Sequence, residues 1–481
     1  MTRSRDVYID AVRAFSVSCI VLGHWLSSKA WSNSGRVGVS NILSLVPDLS
    51  MATWLFMTVP AVLFAGGFSN FMVLRQTKGA GQAYGDFYSR RLRRVLRPVL
   101  YFVGIWISTE ALCHLLSVGG DGLVRGVALG GFGPFGPLWF IGVYIGIIAL
   151  CPVLIELHGR HRIAVLVSLV AGCAGVDVAR FMFHVPLIGW LNLALAWLLP
   201  HQLGFFYADG ALKLCSRRLA FAIALVGITG LFTLTGTGLY SPSIGGIPGS
   251  RDISNMAPPT FMIVMLTCSQ VGLILLCRPL ALILLSKRRM QALVAKLTAV
   301  TMTIYLWHMT ALLAAILILA PFGFSYSGRS LANWWLERPI WLAVGAAVLA
   351  ILTRATAWTE VRSDVERRLP ARVPAVQVEG PARRGRDRQV GSGGPRTSGA
   401  EQASHSRVGS PWPAHDRLRV PELAGLARYA GIAVRVGRWG ARARHVLFAY
   451  RSGRSPMPQA ALTAEVRGGQ REGPGREARW R

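Results

Sequence analysis

Arg5-Asp6-Val7-Tyr8-Ile9-Asp10-Ala11-Val12-Arg13 opens an apolar run that continues through residues 14–22 to Gly23-His24-Trp25. An apolar segment of this length reads as a membrane-spanning helix, because about twenty residues at 1.5 Å each cover the hydrocarbon core. The same segment carries three ionisable groups on one stripe. Arg13 and His24 are about three turns apart, roughly 16 Å along the axis, and Asp10 lies at helical pairing distance before Arg13. A central Arg or Asp in a span costs about 2.5–3.5 kcal/mol on insertion scales. A helix that keeps such groups on one face is using them. Asp6, Asp10 and Arg13 crowd the approach to the apolar run, and Ser28-Lys29-Ala30 is a poor cleavage site, so the segment reads as a retained span rather than a cleaved signal.

The rest of the chain agrees with that reading. Of 481 residues 52% are hydrophobic, with a mean hydropathy of +0.42, too apolar for a soluble protein of this size. Runs without Lys, Arg, Asp or Glu recur at 99–108, 138–154, 220–234 and 298–320. The expected fold is all-α: a polytopic membrane protein of about ten transmembrane helices, near 8–27, 51–74, 98–118, 137–156, 163–183, 187–207, 219–239, 259–278, 298–320 and 339–358. The spans at 163–183 and 187–207 are joined by a short turn at His184-Val185-Pro186. Placing the N-terminus in the cytoplasm puts the basic clusters between Arg75 and Arg97, at Arg160 and Arg162, at Lys213, Arg217 and Arg218, and between Arg278 and Lys296 on the inner side.

The formal charge of +30 is therefore not read as a nucleic-acid footprint. Residues 1–358 hold 28 Lys and Arg against 11 Asp and Glu, and residues 359–481 hold 24 against 11. The two parts are read as a transmembrane domain, 1–358, and an Arg/Gly/Pro-rich cytoplasmic tail, 359–481, disordered by composition. Within the tail, 423–450 has the pattern of a basic amphipathic helix for an anionic membrane face. All five lysines precede the tail, and this Arg bias, with abundant Ala, Gly and Val, suggests a GC-rich genome. The seven cysteines form no C-x-x-C pair and mostly fall in apolar runs, so they read as small core hydrophobes, with no metal site. A glycine string at 131–136 has G-x-G-x-x-G spacing but follows no strand, which removes the dinucleotide reading.

Several residues are candidates for chemistry. With the N-terminus inside, Asp10 and Arg13 lie near the inner mouth, where a cation suits a cytosolic anion such as a phosphorylated donor. His24 lies further out, where an imidazole suits proton transfer. In Tyr88-Ser89-Arg90-Arg91-Leu92-Arg93-Arg94-Val95-Leu96-Arg97-Pro98, helical spacing puts Arg90, Arg94 and Arg97 on one face and pairs Arg91 with Arg94. These guanidinium forks fit phosphate; they also fit a plain positive-inside anchor. Pro98 is expected in the first turn of the next span. Trp139 reads as an interfacial aromatic or part of a site. His308, in Tyr305-Leu306-Trp307-His308, reads equally as a satisfied bundle histidine or a functional one. His114, Asp177, Arg180, His201 and Asp209 are further polar intrusions without an assigned role.

Taken in order, these residues resemble acyltransferase family 3, a family of integral membrane O-acyltransferases. Arg5 to His24 is similar to its opening R-x-x-x-x-D-x-x-R…H signature. Phe64-Ala65-Gly66-Gly67-Phe68 is similar to its F-x-S-G-F turn, with two positions changed. Arg91 and Arg94 are similar to its R-x-x-R element, and Leu138-Trp139-Phe140 and Ile304-Tyr305-Leu306 with His308 to its later marks. Glu337-Arg338-Pro339 resembles its closing E-x-P. The resemblance covers most of residues 5–340 and leaves out the tail.

The resemblance implies an acyl-CoA donor on the cytoplasmic side, acetyl-CoA above all, and a hydroxyl on an extracytoplasmic glycan, glycolipid or metabolite as acceptor. His24 would be general base or transient acyl carrier, with Arg13 on the donor and Asp10 orienting Arg13. Arg90, Arg91, Arg94 and Arg97 would hold the donor phosphates. Trp139, Tyr305, His308 and Glu337 would be supporting residues. The expected location is the bacterial plasma membrane, multi-pass, with both termini cytoplasmic and no nucleic-acid partner. The rival is a transporter or flippase using the same buried charges without covalent chemistry, for which repeated broken helices would be the mark. No internal repeat stands out. A scaffold whose tail binds a partner is the third reading.

Overall fold

In the computed structural model, residues 6–33, 36–116, 127–128, 133–246, 254–324 and 331–360 are described. The chain divides into Met1–Val378 and Glu379–Arg481. All described residues belong to the first unit; the amphipathic segment at 423–450 lies outside them.

The chain is a helix bundle. Helix α1 (Val7–Ser27) is followed by strands β1 (Ser28–Asn33) and β2 (Arg36–Asn41), then a short helix α2 (Thr53–Phe56). Next come α3 (Val59–Gly79), α4 (Tyr84–Leu115), the two-residue strand β3 (Val127–Ala128), α5 (Leu138–Phe181), α6 (Asn192–Ala208), α7 (Arg217–Gly236) and α8 (Phe261–Leu285). The series ends with α9 (Arg288–Ala299), α10 (Thr301–Leu319) and α11 (Leu331–Thr356). β1 and β2 pair antiparallel and β3 runs parallel to β2, a small sheet at the end of α1. Helix starts follow local chemistry. Asp6 caps α1 by accepting from the amides of Tyr8 and Ile9 at 3.1 and 3.3 Å. Ser216 and Thr260 cap α7 and α8 in the same way.

Among the described residues, eight helices are long and apolar enough to cross a membrane. The sequence reading reaches ten because it divides α5 and includes α6, which has only 17 residues. Tertiary contacts explain the division of α5. The Trp139 ring lies 5.6 Å from that of Trp197, yet Gly172 also packs on Leu195, on the same stretch of α6. In a straight helix these two positions of α5 would be about 50 Å apart. The chain folds back at His161, whose φ of −140° and ψ of 40° leave the helical region. At the bend His158 meets Asp209, just past the other end of α6.

Pro98 departs from its expected place in a first turn. It lies inside α4, which runs unbroken from the basic segment into the apolar one. Proline inside a membrane helix is tolerated where neighbouring groups satisfy the freed carbonyl. The continuity matters, because it carries the azimuth of Arg91 and Arg94 rigidly into the bundle.

α10 is hydrophobic all round and is the most enclosed span, with 61% of its apolar window buried against 17% for α4. It packs beside α1, α4 and α11. α3 and α6 cross at backbone contact through two glycines. A Cβ on Gly67 would sit 2.1 Å from the His201 carbonyl oxygen, and one on Gly204 would sit 2.2 Å from that of Phe64. Only glycine permits this approach, the small-residue packing that replaces hydrophobic drive inside a bilayer. The same crossing fixes the 64–68 turn of α3 beside α1.

Candidate active site

α1, α3, α4, α5, α9, α10 and the segment after α11 enclose one cleft. It holds about 820 Å³ of space, open solvent at its mouth included. One part of its wall is cationic, with Arg13 from α1 and Arg91 and Arg94 from α4. Glu360 is the only carboxylate on the lining among the described residues. The remainder is mostly apolar or aromatic, with Val17, Ile20, Val95, Phe140, Tyr144 and Tyr305.

Arg13 is held mainly by α3. Its guanidinium donates to the carbonyl of Ala65 at 3.1 Å and to the hydroxyl of Ser69. Asp10 stands 3.7 Å away, with Arg13 17% and Asp10 14% exposed, a longer contact than the α3 bonds. Gly66 opens the wall beside this point, since a Cβ there would come within 3.2 Å of the Tyr144 ring. The glycine-containing turn at 64–68 thus serves three purposes. Its Ala65 carbonyl orients Arg13, Gly66 widens the cleft, and Gly67 closes the crossing with α6.

Arg91 differs from Arg13. It is only 8% exposed, and its Nε and one terminal nitrogen have no hydrogen-bond partner among the described residues. A buried guanidinium without partners is costly, by several kcal/mol per ion, unless something else occupies its fork. Two donors on one edge of a planar guanidinium match two oxygens of a phosphate.

Ile20 and Tyr305 line the cleft, and the next helical turn of each helix carries a histidine. His24 on α1 and His308 on α10 bring their ring centroids within 5.2 Å. Trp25 locks the two helices in register by donating from its indole to the His308 carbonyl at 3.0 Å. His308 is fully buried, and its Nδ1 lies 2.6 Å from the Tyr305 carbonyl. A carbonyl only accepts, so Nδ1 carries the proton and Nε2 holds the lone pair. That Nε2 has no hydrogen-bond partner among the described residues. Tyr305 is itself fixed by donating to the Pro137 carbonyl at 2.9 Å and by an edge contact of 5.4 Å with Phe140.

The other sequence candidates lie elsewhere. Arg90 bonds to Gln82, and Arg97 lies 5.8 Å over the Trp358 ring; neither lines the cleft. Trp139 packs on Trp197 and Phe140. Glu337 does not line the cleft, and its neighbour Arg338 ties α11 to the end of α1 by donating to the Ser28 carbonyl at 3.2 Å. His114 is exposed near the end of α4. His201 is hydrogen-bonded to Asn70 at 3.0 Å. Asp209 joins His158 at 3.1 Å and Arg162 at 3.3 Å. Asp177 accepts from Asn192, Tyr240 and the Phe261 amide. The described part of the glycine string, 133–136, is a turn leading into α5. Among the residues of the site, the sequence reading passes over Ser69, which holds Arg13, and Tyr144 and Glu360, which line the cleft. Ser69 lies at i+4 from Ala65, a weak signal; nothing in the sequence marks the other two.

A family model described as an acyltransferase domain matches residues 6–354. No curated protein and no solved structure matches the chain.

Proposed function

The chain belongs to acyltransferase family 3, and on that premise we propose that this multi-pass membrane acyltransferase moves an acyl group, acetyl in the simplest case, from cytosolic acyl-CoA to a hydroxyl on an extracytoplasmic glycan, glycolipid or metabolite. One observation carries the donor assignment. Arg91 is buried with two guanidinium nitrogens unpartnered, and it shares a cleft with Arg13 and Arg94. Three guanidiniums on one part of a cleft whose wall is elsewhere mostly apolar or aromatic suit a ligand with phosphates at one end and an uncharged arm at the other.

In this reading the arginines take the donor phosphates at the cytoplasmic mouth. The pantetheine arm runs past Val17, Ile20 and Tyr305 and brings the thioester to His24. His24 removes the proton of the acceptor hydroxyl as its oxygen attacks the thioester carbonyl carbon. The carbon–sulfur bond breaks, and the departing thiolate takes that proton back from the imidazolium. The products are an ester and free CoA thiol. The same placement also serves a two-step route in which His24 nitrogen accepts the acyl group first and the acceptor oxygen then displaces it. His308 supports His24 as a neutral neighbour of fixed tautomer, and Asp10 adds to the hold on Arg13. Tyr305 and the Trp139 region shape the apolar arm of the cleft.

The test is transfer of labelled acetyl from acetyl-CoA in membranes holding the full chain, His24→Ala or Arg13→Ala. The wild type is expected to label a lipid or glycan fraction. His24→Ala is expected to lower the rate by about 10²- to 10⁴-fold, the usual contribution of a general base, with insertion intact. Equal labelling by all three proteins overturns the assignment.

A further inference from the structure

Glu360 lies beyond the 354 limit of the family match and just past the end of α11, yet it is 2% exposed. Two features fix it there. Its carboxylate accepts from the amides of Met302 and Thr303 at 3.4 and 3.1 Å and from the Thr303 hydroxyl at 3.1 Å. Those amides belong to the first turn of α10, the positive end of its helix dipole. The chain leading to it is pinned back on α11, with the Ala357 amide on the Thr353 carbonyl at 2.8 Å and the Glu360 amide on the Ala357 carbonyl at 3.0 Å. The same carboxylate lines the cleft with Arg13, Arg91 and Arg94. It therefore stands where a helix N-terminus and three guanidiniums both favour negative charge, which is where a phosphate would be drawn.

We propose that Glu360 is a resident anion of the arginine cleft, which competes with the phosphate groups of an entering donor and so sets donor affinity. This rests on the reading of the cleft as a site for a phosphate-bearing donor. It gives Glu360 no part in acyl transfer, since it lies at the arginine end and not beside His24. It also accounts for how buried arginines are kept compatible with folding. A carboxylate there offsets part of their charge, at the expense of affinity for the ligand.

The experiment uses the full chain in detergent, with CoA and inorganic pyrophosphate as probes. Glu360→Gln keeps an oxygen to accept from Thr303 and removes the charge. We expect both probes to bind about tenfold tighter, the size of one partly screened like-charge contact. KM for acetyl-CoA is expected to fall in proportion, with kcat not raised. Glu360→Ala, which also removes the cap, is expected to show the same tightening with lower thermal stability. Unchanged or weaker binding in a folded Glu360→Gln protein overturns the proposal, and stability loss in both variants without tightening leaves Glu360 as a cap only. Tighter pyrophosphate binding without any CoA binding keeps the resident anion and rejects the CoA donor. Equal CoA binding in all proteins does the reverse. No binding of either probe by any protein overturns both.

Discussion

Arg91 and Asp177 are both buried charges in one helix bundle, and their surroundings treat them differently. Asp177, near the end of α5, is 2% exposed. Its carboxylate takes the Asn192 amide at 2.9 Å, the Tyr240 hydroxyl at 3.0 Å and the Phe261 backbone amide at 2.6 Å. Those partners come from α6, the loop after α7 and the start of α8, so one side chain ties three elements to α5. Arg91 has two nitrogens that nothing in the described chain satisfies. A satisfied buried charge holds a fold together; an unsatisfied one on a cleft wall adds no such hold, and the proposed function gives it a ligand to bind.

The comparison breaks or sharpens at three points. The largest effect is expected for Arg91→Ala. It should raise KM for acetyl-CoA by about 100-fold, the loss of a charge-assisted bidentate contact. Thermal stability should hold or rise, because a poorly compensated buried charge has been removed. Loss of stability with unchanged KM would put Arg91 in the same class as Asp177. Asp177→Asn should behave in the opposite way, lowering stability by about 1–2 kcal/mol through one or more lost hydrogen bonds and leaving KM of the folded fraction within a factor of about two. Thermal unfolding and initial rates on the same preparation read both quantities. The smallest effect is expected for Arg90→Ala. Arg90 turns to Gln82 and not to the cleft, so activity should stay within about twofold, as for a surface substitution. A KM rise close to that of Arg91→Ala would return Arg90 to the donor site.

Arg90 and Arg91 also show how far the sequence reads. Helical spacing groups Arg90 with Arg94 and Arg97, and Arg91 with Arg94, and both groupings are geometrically sound. Periodicity fixes the angle between residues on one helix; it does not say which angle faces the bundle. That choice is made by the passage of α4 through Pro98 and its packing, and it selects Arg91 and Arg94. The 64–68 turn shows the same limit. Its glycines are visible in the sequence, but the partners that explain them, His201 on α6 and Tyr144 on α5, come from distant spans.

The sequence by itself determined the membrane class, most of the helices, the family and the stripe that puts Arg13 and His24 on one face of α1. The family follows from motifs taken in order along the chain; the rest follows from composition and from a single helix's repeat, which are local properties. Only the tertiary structure decided that α5 folds back at His161, that His308 stands beside His24, that Ala65 and Ser69 hold Arg13, and that Glu360 enters the arginine cleft from beyond the end of α11. Each of these depends on which faces of separate helices meet. That is set by glycine-permitted crossings, by capping bonds such as those from α10 to Glu360, and by the demand that charges inside the bundle find partners. None of those terms is contained in one helix alone.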